Sequence, residues 1–185
     1  MFPAGCSGKR IAGHEDSRWA SISFPVVRND SFPVPGLRMR TAGVHDFEAV
    51  RAMHGRCSAE SRVRRYWTSA PEFSRTNWHR LAEPERGVAV VAHDDDRIVA
   101  MANILYLDTA GQAEIAFLVE DAWQSRGVGT GLARQALDRC RADGLDTVFA
   151  WVCVTNTRMH RLMRSLGADH RALGEGESEF MYDLT

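Results

Sequence analysis

Lysine is almost absent from this chain of 185 residues, although basic residues as a class are common. Lys9 is the single lysine among 23 basic residues, which 24 acidic residues balance to a net charge of −1. A nucleic-acid-binding domain usually carries a basic surplus, so this balance argues against nucleic acid as a partner. A bias in genome composition accounts for the lysine deficit as well as any chemistry does.

Long apolar runs and dense cysteine are also lacking. No stretch approaches the roughly 18 consecutive apolar residues that a membrane-spanning helix needs, so we expect no membrane partner. The first ten residues lack the apolar segment of a secretion signal, which predicts a cytoplasmic protein. No C-x-x-C pair or histidine at zinc-ligand spacing occurs, which predicts reduced thiols and no metal site. The cysteines are Cys6, Cys57, Cys140 and Cys153.

Proline and weak apolar periodicity set residues 1–36 apart from the rest. Four of the six prolines fall here. This composition predicts an extended or partly disordered N-terminal arm, within which residues 21–27 could form an edge strand. Residues 37–185 are long enough for one domain with a core of its own.

Apolar periodicity in residues 37–185 predicts an α/β domain of the α+β kind. Predicted strands are residues 37–41, 88–92, 98–107, 114–119, 147–154 and 179–184. Predicted helices are one capped by Asp46, then 58–67, 73–81, one after the turn at 124–131, and one from Asn156 to Gly167. Strands pair as hairpins in the first half and alternate with helices in the second. We therefore expect a central mixed, mostly antiparallel sheet flanked by helices.

The most informative segment is a glycine-rich turn between a buried strand and an amphipathic helix. It reads Gln124-Ser125-Arg126-Gly127-Val128-Gly129-Thr130-Gly131. Its glycine spacing does not match a dinucleotide fingerprint, and it lacks the lysine of a Walker loop. The exposed N–H groups of such a helix start attract a phosphate.

The turn also matches the signature Q/R-x-x-G-x-G/A, and a second motif follows it in the expected order. That motif is Asn156-Thr157-Arg158-Met159-His160-Arg161-Leu162-Met163-Arg164-Ser165-Leu166-Gly167-Ala168. In these two motifs the chain resembles the GNAT superfamily of acyl-CoA-dependent N-acetyltransferases. The resemblance covers residues 37–185 and implies a GNAT-like fold, with acetyl-CoA as cosubstrate and no metal.

The resemblance implies a cofactor-binding role for three segments of the chain. Backbone amides of the glycine-rich turn would hold the pyrophosphate, and the preceding strand would hydrogen-bond the pantetheine arm. The strand at 147–154 would splay from it to leave a slot for the thioester. Asn156 would contact the cofactor arm, or serve as a helix N-cap, or both. The cofactor-binding residues implied are Phe117, Leu118, Val119, Gln124, Arg126, Gly127, Val128, Gly129, Thr130, Gly131 and Asn156.

Glu114 is the candidate catalytic residue, because it is a carboxylate in an otherwise apolar strand. Acyl transfer to an amine requires a base, and partial desolvation would raise the pKa of this group toward a useful range. The alternative is a glutamate at the exposed start of a strand, paired with an arginine. The tyrosine that often protonates the leaving thiolate in the family is replaced by Met163. Tyr106 and Tyr182 are the candidate substitutes, and water suffices as the alternative because a thiolate is a tolerable leaving group.

Transfer of acetyl from acetyl-CoA to a primary amine by direct attack is the leading hypothesis. The stretch Ser58-Ala59-Glu60-Ser61-Arg62 and the strand with Glu114 resemble the branch of bacterial protein-lysine acetyltransferases. The expected acceptor is therefore a protein lysine or a small-molecule amine. Arg62, Arg64 and Arg65 line an acceptor groove or a solvated helix face. The alternative function is a non-catalytic acyl-CoA-binding module. The assembly state stays open, a homodimer included.

Overall fold

The computed structural model describes residues 34–67 and 73–185, which form one seven-stranded sheet with five α-helices. The strands are β1 Leu37–Ala42, β2 Gly87–Asp94, β3 Arg97–Tyr106, β4 Gln112–Val119, β5 Thr147–Cys153, β6 Asp169–Gly174 and β7 Glu177–Asp183. The helices are α1 Phe47–Arg56, α2 Ala59–Tyr66, α3 Arg75–Ala82, α4 Val128–Ala142 and α5 Thr157–Ser165. None of these helices combines the length and apolarity needed to cross a bilayer.

The sheet has the strand order β1-β2-β3-β4-β5-β7-β6. Every neighbouring pair is antiparallel except β4 and β5, which run parallel. The predicted class, a mixed and mostly antiparallel sheet flanked by helices, is confirmed. Strand β6 was not predicted, since all six of its residues are exposed and its sequence shows no apolar alternation.

Both faces of β2 and β3 are buried over most of their length, which explains their nearly continuous apolar sequences. On one face, Val88 and Val90 pack with Leu132 and Ala136 of α4. On the other face, Val91 and Met101 pack beneath α1 and α3 in a core that includes Val50, Met53 and Trp78. The helices therefore lie on the two sides of one sheet, with α1, α2 and α3 on one side and α4 on the other.

The helix starts follow local sequence at α2 and α3 but not at α1. The hydroxyls of Ser58 and Ser74 accept hydrogen bonds from the third residue of their helices, as N-caps do. Asp46 occupies the predicted N-cap position of α1, but its side chain makes no hydrogen bond to the start of that helix. That carboxylate instead accepts bonds from the Arg40 guanidinium and from the Gly43 N–H at 2.9 Å, which tie β1 to the turn after it.

The predicted N-terminal arm lies outside the described residues, the segment 21–27 included, except for residues 34–36. These form a turn that enters β1, in which the Leu37 N–H donates to the Val34 carbonyl at 3.2 Å. Val34 is buried in the core beneath α4. The division of the chain at residue 36 stays a prediction.

Candidate functional site

The central cleft of the molecule arises where β4 and β5 part. Parallel pairing joins residues 112–114 to residues 147–149 and goes no further, whereas β4 stays paired with β3 as far as Val119. The edge of β4 that faces β5 therefore has no strand partner from Ile115 onward. Backbone N–H and C=O groups without a partner need one from a ligand or from water.

This cleft holds about 150 Å³ of space and brings together residues from five parts of the chain. Predicted site residues among its walls are Phe117, Leu118, Val119, Gln124, Gly129 and Asn156. Sequence reasoning did not assign the other lining residues to the cofactor site: Ser61, Arg64, Arg65, Ile115, Ala116, Ser125, Ala150, Trp151, Val152, Arg158, Met159 and Leu162. Ala150, Trp151 and Val152 lie on β5, opposite the free edge of β4.

The N-terminus of α4 opens into the same region. Gly127 precedes the helix with a φ of 87°, a left-handed conformation that favours glycine, and it has no side chain to cap the helix. The N–H groups of the first helical residues have no intrahelical acceptor, which makes this end an anion site. The Gly131 N–H donates to the Gly127 carbonyl at 2.9 Å and so belongs to the helix.

A basic cavity continues from the cleft past this helix end. It is lined by Ser125, Gly127, Gly129, Thr130, Arg158, Arg161, Leu162 and Ser165. Arg158 and Arg161 are three residues apart on α5, so they share a helix face. The same spacing is visible in the sequence and was the missed signal. Two guanidinium groups beside a free helix N-terminus suit a phosphate-bearing ligand.

The side chains of Arg126 and Val128, the remaining predicted residues of the turn, pack against other parts of the protein. The Arg126 guanidinium lies 5.3 Å from the centre of the Trp123 ring. The Val128 side chain is buried in the core. Neither residue is among those that line the cleft or the basic cavity, and their predicted role, which rests on their backbone N–H groups, stays a prediction.

Gln124 links the turn to β4 and to α2. Its side-chain amide donates to the Val119 carbonyl at 3.0 Å and to the Ser61 hydroxyl at 3.0 Å. Its side-chain oxygen accepts a bond from Arg158. The Val119 carbonyl, predicted to meet the pantetheine arm, is thus occupied by Gln124 in this structure.

A sequence model of the acetyltransferase (GNAT) family matches residues 49–168. The chain belongs to this family. It is similar to the GNAT domain of S. lividans PAT, with 25% identity, a TM-score of 0.77, and coverage of 84% of this chain and 96% of that chain.

Two further solved structures share the fold at lower identity. One is yncA from Salmonella typhimurium, solved with its cofactor acetyl-CoA, with 18% identity, a TM-score of 0.67, and coverage of 81% of this chain and 95% of that chain. The other is the ribosomal-protein-alanine N-acetyltransferase from Brucella melitensis, with 16% identity, a TM-score of 0.63, and coverage of 77% and 96%.

Glu114 of this GNAT chain lies at the last paired position of β4, directly beside Phe149 of β5. It is not itself among the residues that line the cleft and lies one residue before Ile115, where the lining of the cleft begins on this strand. Its side chain is half-buried, and within residues 34–67 and 73–185 it makes no hydrogen bond or salt bridge. Burial raises the pKa of this carboxyl above its ordinary value of 4.5, and the nearby Arg65 charge opposes the shift. The alternative of a glutamate in an arginine salt bridge does not describe this geometry.

Helix α2 supplies the arginine beside Glu114 in this GNAT fold. The Arg65 guanidinium donates to the Asn103 side-chain oxygen on β3 at 3.1 Å. Among the described residues, Arg65 Nε and Asn103 Nδ2 are buried and have no hydrogen-bond partner. Arg64 forms a salt bridge with Glu60 at 2.6 Å instead. Of the arginines considered for an acceptor groove, Arg64 and Arg65 line the cleft.

The two tyrosines considered as general acids lie away from the GNAT cleft. The Tyr182 hydroxyl donates to the Met163 carbonyl at 3.2 Å, and both residues are buried in the core. The Tyr106 hydroxyl donates to Asp143 at 3.3 Å. Neither side chain lines the cleft, so the site as described contains no tyrosine next to the thioester slot.

Asn156 serves as the N-cap of α5, since its side-chain oxygen accepts from the Met159 N–H at 3.2 Å. It also lines the cleft, so the two predicted roles are compatible. No group of three or more histidine, cysteine, aspartate or glutamate residues that could hold a metal ion occurs in the described parts of the chain.

Proposed function

We propose that this GNAT protein transfers the acetyl group of acetyl-CoA to a primary amine. The observation that carries the proposal is the divergence of β4 from β5 beside the free N-terminus of α4. An extended thioester arm can pair with the unpartnered strand edge while its phosphates meet the helix end. The match to the GNAT family and the acetyl-CoA bound to yncA support the choice of cosubstrate.

The chain's own groups divide the binding of acetyl-CoA among three places. Backbone N–H groups from Arg126 to Thr130 hold the pyrophosphate, with Arg158 and Arg161 contributing positive charge. The backbone of residues 117–119 pairs with the pantetheine arm. Because Gln124 occupies the Val119 carbonyl, its side chain releases that bond when the arm enters.

Glu114 acts as the base in the proposed reaction. It accepts a proton from the ammonium group, which frees the nitrogen lone pair to attack the thioester carbonyl carbon. The C–N bond forms, the C–S bond breaks, and the thiolate leaves with the electron pair of that bond. After the attack the nitrogen carries one proton more than the amide product does. Water accepts that proton and delivers a proton to the thiolate, because no tyrosine lines the slot.

A protein lysine is the acceptor we favour over a small-molecule amine. The similarity to the GNAT domain of S. lividans PAT over 84% of this chain supports the protein-lysine branch.

The described cysteines, Cys57, Cys140 and Cys153, are free thiols, which agrees with a cytoplasmic location.

A non-catalytic acyl-CoA-binding module is the second candidate. The burial of Met163 against Tyr182, which leaves the slot without a phenol, favours it. The unpartnered Glu114 carboxyl favours catalysis instead.

Release of free thiol from acetyl-CoA across a panel of lysine peptides and small amines separates the two candidates. We expect turnover, and a loss of about 100-fold or more in Glu114→Gln with acetyl-CoA affinity unchanged. Glu175→Gln is the matched control, because that glutamate is exposed in the turn between β6 and β7. Binding of acetyl-CoA without turnover on any amine would show the module instead.

A further inference from the structure

The helices that cover one face of β1–β4 leave the same face of β5 and β7 uncovered. Alternate residues of β5 and β7 point into the core, among them Ala150 and Phe180. The residues between them are half-buried on the opposite side: Phe149, Trp151, Cys153, Glu177, Glu179 and Met181. None of these six residues belongs to the two buried clusters through which the described helices pack on the sheet.

An aromatic pair forms the centre of this uncovered face. The Phe149 and Trp151 rings stack with centroids 5.7 Å apart and planes 12° from parallel. Phe149 is directly beside Glu114, and Trp151 lies two residues further along β5, where β4 has diverged. Trp151 also lines the cofactor cleft. The aromatic pair is therefore continuous with the place where acetyl transfer is proposed.

Carboxylates border the aromatic pair, and two of them lack a salt bridge in the described part of the chain. Glu179, opposite Trp151, pairs with Arg171 at 2.8 Å. Glu177 has no such partner, and neither has Glu114. Glu177 is close enough to Glu114 to raise the pKa of that carboxyl. Unpaired negative charge beside aromatic rings is complementary to a cation.

We propose that Phe149, Trp151 and Glu177 bind the lysine side chain of a protein acceptor and guide its amine to Glu114. This inference rests on the proposed function and adds the residues that recognise the acceptor. The methylene stem lies on the aromatic rings, and the ammonium group interacts with the Trp151 face and the Glu177 carboxylate. In the described part of the chain this face is open, whereas a site for a small amine would enclose most of its ligand, so the rest of the contact comes from the acceptor polypeptide.

Direct binding to the CoA-loaded protein tests this platform without requiring turnover. The probes are three capped Gly-X-Gly peptides in which X is lysine, trimethyl-lysine or norleucine, measured by isothermal titration calorimetry. Trimethyl-lysine keeps the positive charge but cannot be acetylated, and norleucine keeps the stem without the charge. We expect the two cationic peptides to bind roughly tenfold more tightly than the norleucine peptide.

Two variants locate the binding, and the second has a matched control. Trp151→Leu keeps an apolar side chain but loses the aromatic face, and Glu177→Gln removes only the charge. Each should weaken binding of the trimethyl-lysine peptide by about three- to tenfold, and Glu177→Gln, at a residue that does not line the cofactor cleft, should leave CoA affinity unchanged. Glu175→Gln, in the adjacent exposed turn, should leave both affinities unchanged.

Several outcomes would overturn the platform. These are equal affinity for the trimethyl-lysine and norleucine peptides, no saturable binding of either, or wild-type affinity in both variants. Butyltrimethylammonium binding as tightly as the trimethyl-lysine peptide would overturn the choice of a polypeptide. If Trp151→Leu also lowers CoA affinity, the peptide affinity of Glu177→Gln and the comparison of the three peptides decide the test. Failure of the proposed function would appear separately, as peptide binding without acetylation.

Discussion

Glu114 and Arg65 show how far single residues can be interpreted before the fold is known. A lone carboxylate in an apolar strand was visible in the sequence and led to Glu114. The approach of Arg65 was not, because it depends on how α2 packs across β3 and reaches Asn103. Trp151 was overlooked for a related reason: its ring faces the cleft only because β4 diverges from β5.

The pH dependence of catalysis should report the interaction of these two residues. As the base, Glu114 must be ionised, so kcat/KM should fall as pH decreases through its raised pKa, above 4.5. Arg65→Gln removes the positive charge that opposes the shift, and Glu177 on β7, which raises the same pKa, remains. The acidic limb of the profile should therefore move to higher pH.

Measuring kcat/KM against pH for wild type, Arg65→Gln and Arg80→Gln checks this expectation. Arg80 is exposed on α3, so its substitution should leave the limb in place. An acidic limb that stays unchanged in Arg65→Gln, or moves to lower pH, would contradict the electrostatic role of Arg65.

Substitutions at Gly129 should affect acetyl-CoA binding and folding stability differently. A Cβ at this position would lie 3.7 Å from Leu162 Cδ2, an ordinary contact, so the folded chain has room for a side chain. Gly129→Ala should keep or raise stability, by up to about 1 kcal/mol, since alanine favours helix. Gly129→Glu should abolish acetyl-CoA binding, because its carboxylate enters the proposed phosphate site.

Calorimetric titration of acetyl-CoA together with thermal unfolding of both variants checks this prediction. The informative result is a Gly129→Glu protein that unfolds near the Tm of the alanine variant yet binds no acetyl-CoA. Tight binding of acetyl-CoA to Gly129→Glu would refute the role of the turn.

Secondary-structure elements were predictable where burial leaves one clear pattern of apolar residues in the sequence. The amphipathic α4 and the strands with both faces buried fall into that class. Strand β6 does not, because it lies at the sheet edge with both faces exposed and depends on its pairing with β7. The divergence of β4 from β5 was expected only from the family resemblance, since neither strand's composition specifies where pairing stops.

Asp121 holds the start of α2 against the segment after β4. Its carboxylate accepts from the Ser58 N–H at 2.7 Å, the Ser58 hydroxyl at 2.8 Å and the Ser61 hydroxyl at 2.9 Å. Asp121→Ala should lower the free energy of unfolding by about 1–2 kcal/mol, with the exposure of the site keeping the effect modest. Urea unfolding measures this change.

The stability that Asp121 contributes should depend on pH in one direction. Burial works to raise the pKa of this carboxyl, but the hydrogen bonds from Ser58 and Ser61 outweigh it and lower the pKa below 3.8. The stabilisation by Asp121 is therefore complete at pH values above the pKa of this carboxyl in the unfolded chain. It is lost as pH falls through the lower pKa that the carboxyl has in the folded protein. Asp108→Ala, at an exposed site, should show no such dependence, and an equal dependence in both variants would contradict the prediction.

At the scale of the whole molecule, strand β4 connects the two sides of the site. Its free edge and following turn face the proposed cofactor, and Glu114 projects toward the side of α2 and the uncovered face of β5. The Gln124 side chain joins these sides through Val119 and Ser61. If the pantetheine arm takes the Val119 carbonyl as proposed, the Gln124 side chain gives up that bond, and the same amide nitrogen contacts Ser61 on α2, the helix that carries Arg65. Cofactor and acceptor binding are expected to be coupled through this helix.

The lysine deficit gives the protein a useful property if the acceptor is a protein lysine. Residues 10–185 contain no lysine, so Nε-acetylation of the described domain by its own activity is chemically excluded. Lys9→Arg would produce a lysine-free enzyme and should retain wild-type turnover, because every group assigned here to binding and chemistry lies within residues 34–185. Acetyl-lysine detected by mass spectrometry after incubation with a candidate protein would then lie on that protein alone. A loss of turnover in Lys9→Arg, with acetyl-CoA affinity intact, would instead assign the N-terminal segment a part in acceptor recognition.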